Sequence, residues 1–269
     1  MSTPHPELVS LVEVWREALS DLTDLFAQVP DDAWHTPTDL PGWDVHDVLA
    51  HVAHLEHLLA GGAHDDVEVV DAPHAVGMMG QFTEQGVIAR RDRSPADLLA
   101  ELDRDARTRY DELRAAPPTD PDAPAPGLFG AIGWSTRTLL RNRPLDVWIH
   151  EQDVRRALGL PGGTGSAAAA HTVDYLLESF GFVVGKKVGA PAGQPVRITV
   201  AGHAPVTVAV GDDGRAHPST DEPVAGLEMD RATFAVAAGG RGSDVADAVT
   251  ITGDTALGAR VLTAMGVTP

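Results

Sequence analysis

The chain has 269 residues, enough for one large domain or two ordinary ones, and it contains no cysteine. The lack of thiols excludes disulfides, cysteine-based zinc sites and a cysteine nucleophile, so any sulfur chemistry must use an external thiol. Its 20 basic and 39 acidic residues give a formal charge of -19, which argues against nucleic acid and anionic membranes as partners.

The start of the chain, MSTPHPELVSLVEVW, carries no basic segment followed by an apolar core, as a secretory signal would. No apolar run elsewhere is long enough to span a membrane. We therefore expect a cytoplasmic protein that does not associate with membranes. The sequence leaves its oligomeric state open.

Four segments in the first part of the chain carry apolar residues at helical spacing. The first spans about 8–26, and the second begins at Asp44, a suitable N-cap. The third begins at Ser94, where Ser-Pro-Ala-Asp resembles a capping box. The fourth lies within 134–158 and is predicted to bend or restart at Pro144. Together they predict a four-helix bundle.

Two segments rich in proline or glycine divide these elements. The segment 117–126 contains several prolines and is predicted to be an exposed connection between the third and fourth helices. The segment 159–165 interrupts the helical pattern. We place the domain boundary there, which predicts a helical bundle in 1–162 and a smaller domain in 163–269.

The second domain has a different pattern. A helix is predicted at about 166–184, and the β-branched runs 196–200 and 206–210 predict a hairpin. A further strand is predicted at 249–252 and a last helix at 256–265. The predicted fold class is therefore α plus α+β, with an α+β domain after the bundle.

The second predicted helix carries histidines that could bind a metal. His51 falls at the edge of the apolar face, whereas His54 and His57 are predicted to point further from the core. A single histidine at such an edge is more often a core residue than a ligand. The interpretation of His51 as a metal ligand therefore needs further ligands elsewhere in the chain. Trp43, just before this helix, is predicted to be a packing residue.

The fourth predicted helix offers such partners, because Asp146, His150 and Asp153 lie within about sixty degrees of one another on a helix. A carboxylate and a histidine at i and i+4 can bind one metal together, and His51 would complete the three-ligand set of a catalytic zinc site. Asp153 would then support the metal or face the substrate, or pair with a neighbouring arginine. Periodicity alone does not favour metal binding over the other interpretation, which is a buried Asp–His pair or a solvated acidic face.

Three segments carry a resemblance to a known family. They are LPGWDVHDVLAH, which ends at His51, the pattern Asp146-x-x-x-His150-x-x-Asp153 followed by ALG, and VTITGD, which ends at Asp254 before a short helix. These segments resemble the mycothiol-dependent maleylpyruvate isomerase family, which belongs to the wider DinB-like metal-binding bundles. The resemblance spans nearly the whole chain.

The resemblance implies a DinB-like four-helix bundle followed by a sterol-carrier-like α+β domain. It also implies a Zn²⁺ ion bound by His51, His150 and Asp146, although the family has glutamate where this chain has the shorter Asp146. Arg241 resembles an arginine that family members use near the active site, and a solvated loop arginine is the other interpretation. By resemblance, mycothiol is the co-substrate, and the metal stabilises its thiolate.

Three functions follow from this resemblance. The first is an enzyme whose external thiol either isomerises a small unsaturated acid such as maleylpyruvate or is transferred to an electrophile. The second is a non-catalytic metal-binding or small-molecule-binding stress-response protein, because the bundle fold hosts many activities. The third, a lipid carrier, ranks last because the second domain has few large apolar residues.

Overall fold

The computed structural model describes residues 3–241 and 245–268. The chain forms two compact units, Met1–Ala168 and Ala169–Pro269. The first unit is helical, and the second contains a mixed β-sheet with helices. This architecture confirms the predicted fold class. Among the described residues, no helix is long and apolar enough to cross a membrane.

The N-terminal unit is a four-helix bundle with two additional short helices. In chain order the helices are α1 (Pro6–Phe26), α2 (Val45–Leu59), α3 (Gly77–Ile88), α4 (Pro95–Ala115), α5 (Gly127–Ala131) and α6 (Thr136–Ala157). The long helices α1, α2, α4 and α6 form the bundle, in which α1 packs against α6 and α2 against α4. The sequence did not predict α3 or α5.

Polar side chains at the helix starts fix where α2, α4 and α6 begin. Asp44 accepts a hydrogen bond from the Asp47 backbone nitrogen at 2.9 Å, and the Asp47 side chain accepts one from the Asp44 backbone nitrogen at 3.4 Å. Ser94 and Ser135 cap α4 and α6 in the same manner, each accepting from a backbone nitrogen three residues later. Such caps satisfy backbone donors that would otherwise lack partners.

Two predictions for the bundle need correction in part. Of the bend or restart predicted at Pro144, the restart does not occur, because α6 continues from Thr136 to Ala157 with the proline inside it. Proline costs about 3 kcal/mol in a helix interior, and the buried side chains on either side of it, Leu140 and Leu145, offset that cost. The segment 117–126 is not wholly exposed either, because Ala125 is buried in an apolar cluster.

The C-terminal unit contains a five-stranded sheet in the order β3-β2-β1-β4-β5. Its elements are α7 (Ala167–Leu177), α8 (Phe180–Phe182), a π-helical turn (Val183–Lys187), β1 (Val196–Val200), β2 (Val206–Val210), β3 (Ala216–Pro218), β4 (Ala225–Met229), α9 (Arg231–Ala238), a 3₁₀ turn (Ala246–Ala248), β5 (Thr250–Gly253) and α10 (Thr255–Thr263). The strand β1 pairs antiparallel with β2 and parallel with β4.

The predicted hairpin, the strand near 249–252 and the last helix are confirmed by β1, β2, β5 and α10. The helix predicted at 166–184 is interrupted, since α7 ends at Leu177 and α8 begins at Phe180. The strands β3 and β4 and the helix α9 were not predicted from the sequence.

Candidate metal centre

The helices α2 and α6 bring three side chains together in the bundle, those of His51, Asp146 and His150. One donor atom from each lies within 4.8 Å of the other two. The Oδ1 atom of Asp146 lies 3.7 Å from the Nε2 atom of His51 and 3.7 Å from that of His150. The two imidazole rings meet edge to face, with centroids 4.8 Å apart.

His51 is buried without satisfying its polar atoms. Only 4% of its surface is exposed, and neither Nδ1 nor Nε2 has a hydrogen-bond partner among the described residues. Burial lowers the pKa of His51, although the neighbouring carboxylate of Asp146 opposes that shift. A buried polar group without a partner is costly, and a neutral imidazole is the form that binds metals. The environment of His51 therefore fits a metal ligand.

The geometry of the three donors also suits a divalent metal. Two ligand atoms on a tetrahedral zinc ion lie about 3.4 Å apart. The separations of 3.7 Å are close to this value, so small side-chain movements would suffice. Burial tends to raise the pKa of Asp146, but the charge of Arg143 and the neighbouring His51 and His150 together outweigh burial and hold the pKa below its usual range. The carboxylate is therefore ionised, as a metal ligand must be.

Asp153 supports His150. Its Oδ2 atom lies 3.0 Å from Nδ1 of His150, and its side chain is only 2% exposed. A hydrogen bond from one ring nitrogen to a carboxylate fixes the tautomer and leaves the other nitrogen available to a metal. Of the roles considered for Asp153, this contact favours support of the metal ligand.

Comparison with known proteins shows the family of this chain. A model of the mycothiol maleylpyruvate isomerase N-terminal domain matches residues 15–155, and a model described as the MDMPI C-terminal domain matches residues 168–260. The chain belongs to the mycothiol maleylpyruvate isomerase family. This finding confirms the resemblance that the sequence motifs indicated.

Individual relatives of this family member are distant. Two uncharacterized proteins of Mycobacterium tuberculosis are each 24% identical over 205 residues, which make up 75% of this chain and 75% of the relative. A crystal structure of the mycothiol-dependent maleylpyruvate isomerase matches with a TM-score of 0.53 and 19% identity, and one of a histidine-to-alanine mutant with 0.56 and 18%. Each match covers 91% of this chain and 92% of the solved chain, which supports the fold.

Trp43, predicted to be a packing residue, packs beside the two candidate histidine ligands. Its ring centroid lies 4.9 Å from that of His51 and 6.2 Å from that of His150, so the indole forms one wall beside both imidazoles. Its Nε1 donates to Glu84 at 2.8 Å. The preceding Gly42 has a φ of +80°, and a Cβ there would lie 2.3 Å from the His74 ring. The Pro-Gly-Trp sequence therefore allows the turn that places this indole.

A buried network next to Asp146 was not predicted from the sequence. Arg143 donates from Nη1 to Asp146 Oδ2 at 2.9 Å and from Nη2 to Glu56 Oε1 at 2.6 Å. Glu56 is 0% exposed and also accepts from Arg109 Nη1 at 3.1 Å and from Trp15 Nε1 at 3.0 Å. Burial would raise the pKa of Glu56, but the two guanidinium charges and the hydrogen bonds from Trp15 and Arg143 together lower it. The glutamate is therefore ionised inside the bundle.

The sequence contains a signal for this network. Glu56 continues the 4-3-4 spacing of Val45, Leu49 and Val52 on α2, so it occupies a core position. A charged residue at such a position needs a buried partner of opposite charge. A search for charged residues at apolar-stripe positions would have found Glu56.

Two other groups of acidic and histidine side chains in residues 3–241 and 245–268 have donor atoms within 4.8 Å of one another. In the group of Asp44, His46 and Asp47, both aspartates form the cap of α2 and His46 Nε2 bonds a backbone oxygen of Arg93. The other group is His57, Glu101 and Asp105, whose carboxylates already pair with arginines. Neither group needs a cation to balance its charge.

The prediction that His54 points away from the core is wrong. His54 is 0% exposed, its Nε2 lies 3.3 Å from Nδ1 of His64, and a Cβ at Gly86 would lie 1.9 Å from its Nδ1. Burial and the charge of Arg90 lower the pKa of His54 to about 3. His57 is partly exposed, as expected, and bonds Asp105 at 2.9 Å.

His54 should make the protein less stable in weak acid. The unfolded chain binds a proton at this residue below about pH 6.5, whereas the folded chain does so only near pH 3. Stability from the neutral form is therefore complete above pH 6.5 and is lost as the pH falls toward 3. Between pH 7 and pH 5 the free energy of unfolding should decrease by about 2 kcal/mol more in the wild type than in His54→Gln.

Urea denaturation at several pH values measures this difference. The exposed His217→Gln variant is the matched control and should keep the wild-type pH dependence. An identical pH dependence in His54→Gln and the wild type would contradict the assignment of His54 as a buried neutral histidine.

Arg241 lies in the C-terminal unit, and the interpretation as a solvated loop arginine is wrong. The residue is only 7% exposed, and its Nη1 donates to the Gly239 backbone oxygen at 2.7 Å and to Thr268 Oγ1 at 3.2 Å. These bonds join the end of α9 to the C-terminal segment. Its predicted role toward a substrate stays a prediction.

Proposed function

We propose that this family member is a metal-dependent enzyme that uses mycothiol, of the maleylpyruvate isomerase or thiol S-transferase type. His51, Asp146 and His150 bind the metal, which is Zn²⁺. The observation that carries the proposal is the burial of His51 without a hydrogen-bond partner for either ring nitrogen in the described residues, next to an ionised carboxylate and a second histidine.

The chain's own residues explain how such a site would act on an external thiol. When bound, the metal would supply the positive charge that keeps the thiol sulfur as a thiolate near neutral pH. The neutral histidines and the single carboxylate of Asp146 leave part of that charge uncompensated. The side chain of Asp146 is 20% exposed, so the site is not completely closed to solvent. The chain has no cysteine that could compete for this position.

The substrate would be a small electrophilic or unsaturated acid. In the isomerase reaction, the thiolate would add to one carbon of the activated double bond, and the π electrons would move onto the conjugated carbonyl as an enolate. The former double bond, now single, rotates, and the enolate then re-forms it and expels the same thiolate. In the S-transferase reaction, the new carbon–sulfur bond persists because the enolate takes up a proton or, with another electrophile, a leaving group departs. We assign Arg241 to the carboxylate of the substrate on the strength of the resemblance, and Asp153 to the support of His150.

Elemental analysis of the untagged protein, followed by calorimetric titration of mycothiol with and without metal, tests the proposal. We expect one equivalent of metal per chain and thiol binding only by the metal-loaded protein. Turnover would then be measured with maleylpyruvate and with model electrophiles. A protein that takes up no metal when offered Zn²⁺ would contradict the proposal.

The same experiment separates the enzyme from a non-catalytic stress-response protein. The substitution of Asp146 for the family's glutamate keeps that alternative relevant. A binding protein would take up metal or a small molecule but would neither consume thiol nor isomerise the unsaturated acid.

A further inference from the structure

The two carboxylate oxygens of Asp146 have different environments. Oδ2 accepts a hydrogen bond from Nη1 of Arg143 at 2.9 Å. Oδ1 lies 3.7 Å from Nε2 of His51 and the same distance from Nε2 of His150. The carboxylate therefore presents one oxygen to the histidines, while the guanidinium group occupies the other.

Arg143 is itself held in place. Its Nε and Nη2 atoms donate to Oε1 of Glu56 at 3.1 Å and 2.6 Å. Arg143 is 1% exposed and Glu56 is 0% exposed, so water cannot replace these bonds. Since the guanidinium group is planar and rigid, its bonds to Glu56 fix the direction of the nitrogen that reaches Asp146.

Two further donors in the bundle also hold Glu56. Arg109 donates to Oε2 of Glu56 at 3.1 Å, and Trp15 donates to Oε1 at 3.0 Å. The guanidinium group of Arg109 also lies over the Trp15 ring, 4.5 Å from its centroid. Trp15, Arg109 and Arg143 come from α1, α4 and α6, and Glu56 lies on α2. All four bundle helices therefore contribute to the position of the Glu56 carboxylate.

We propose that Arg143 is a positioning residue that makes Asp146 a one-oxygen metal ligand and thereby sets metal affinity. The inference rests on the proposed metal site. The hydrogen bond from Arg143 competes with the ion for Oδ2 and holds Oδ1 toward the histidines, so Oδ1 is the oxygen that would bind the ion. A single carboxylate oxygen leaves more of the coordination sphere to the thiol and the substrate than a chelating carboxylate would.

The other interpretation is that Arg143 only neutralises Glu56. Arg109 provides the matched comparison, because it is also a buried arginine bonded to Glu56, whereas among the described residues the arginine that bonds Asp146 is Arg143. A purely structural role predicts similar consequences for the two positions. The positioning role predicts an effect on metal binding for Arg143 alone.

Metal binding by Arg143→Lys and Arg109→Lys tests the proposal. Lysine keeps the charge, but its single ammonium group cannot bond Glu56 and Asp146 at the same time, as the guanidinium group of Arg143 does. We expect Arg143→Lys to bind one equivalent of Zn²⁺ with about 10–100-fold lower affinity. In this variant Oδ2 of Asp146 is free to bind the ion as well, which raises the coordination number. The absorption of the Co²⁺-substituted protein should therefore weaken, since its intensity decreases as the coordination number increases. Arg109→Lys should keep the wild-type affinity and spectrum.

Three outcomes distinguish the possibilities. Unchanged affinity and spectrum in Arg143→Lys, or equal losses in both variants, would overturn the positioning role and leave the metal site intact. A wild type that binds no metal would overturn the proposed function itself. If Arg143→Lys does not fold, the zinc-loaded wild-type crystal structure decides: coordination through Oδ1 with Arg143 on Oδ2 supports the proposal, and coordination through both oxygens overturns it.

Discussion

Replacing His51 or His150 by alanine should abolish stoichiometric binding of a divalent metal. Each variant removes one of the three donors that lie within 4.8 Å of one another, and two remaining ligands rarely hold Zn²⁺ tightly. The helical far-UV signal should remain largely intact, because the bundle has an apolar core of its own. Metal content after dialysis, measured by elemental analysis, checks the expectation.

His57→Ala is the matched control for this experiment. His57 lies on the same helix α2, and its donor atom belongs to a second group, with Glu101 and Asp105. We expect this variant to retain one equivalent of metal. Loss of metal in His57→Ala, with retention in His51→Ala and His150→Ala, would show that the metal occupies the other group.

Glu56→Ala should destabilise the bundle by about 3–5 kcal/mol, because it leaves buried cations without their counterion. Within the part of the chain that the structure describes, Arg143 would keep only Asp146 as an acidic partner, and Arg109 would lose its ion pair. The Trp15 indole would also lose its acceptor. Urea denaturation followed by the far-UV signal measures the change in the free energy of unfolding.

The exposed residue Glu112, on α4, supplies the control for the loss of one acidic side chain. Glu112→Ala should change the free energy of unfolding by no more than about 0.5 kcal/mol. A Glu56→Ala protein as stable as Glu112→Ala would mean that water or another side chain compensates the two guanidinium groups, and that the network is weaker than its geometry indicates.

Periodicity carried most of what the sequence could predict. The four bundle helices bury long apolar stripes, and the hairpin strands alternate β-branched residues, so both follow from spacing. The elements that were missed carry weak local signals. The helix α3 has glycine at both Gly77 and Gly80, and β4 has the sequence AGLEM, which lacks β-branched residues. Their structure depends on neighbours that lie elsewhere in the chain.

The candidate ligands could be predicted because Asp146 and His150 share a helix face and the family resemblance selected His51. The partners of those ligands could not all be found in this way. The contact between Asp153 and His150 follows from their spacing on one helix, whereas Glu56 reaches Arg143 from another helix. Which side chains of different helices meet is decided by packing, which spacing along one helix does not describe.

The distribution of the three candidate ligands over α2 and α6 has a consequence during protein synthesis. The 99 residues from His51 to His150 take about 5–20 s to add on the ribosome, at roughly 5–20 residues per second. The helix α1 waits for α6, its packing partner, while the 109 residues between Phe26 and Thr136 are added. The nascent chain therefore displays His51 long before the other two donors exist, and the proposed metal would be loaded only after the N-terminal unit is complete.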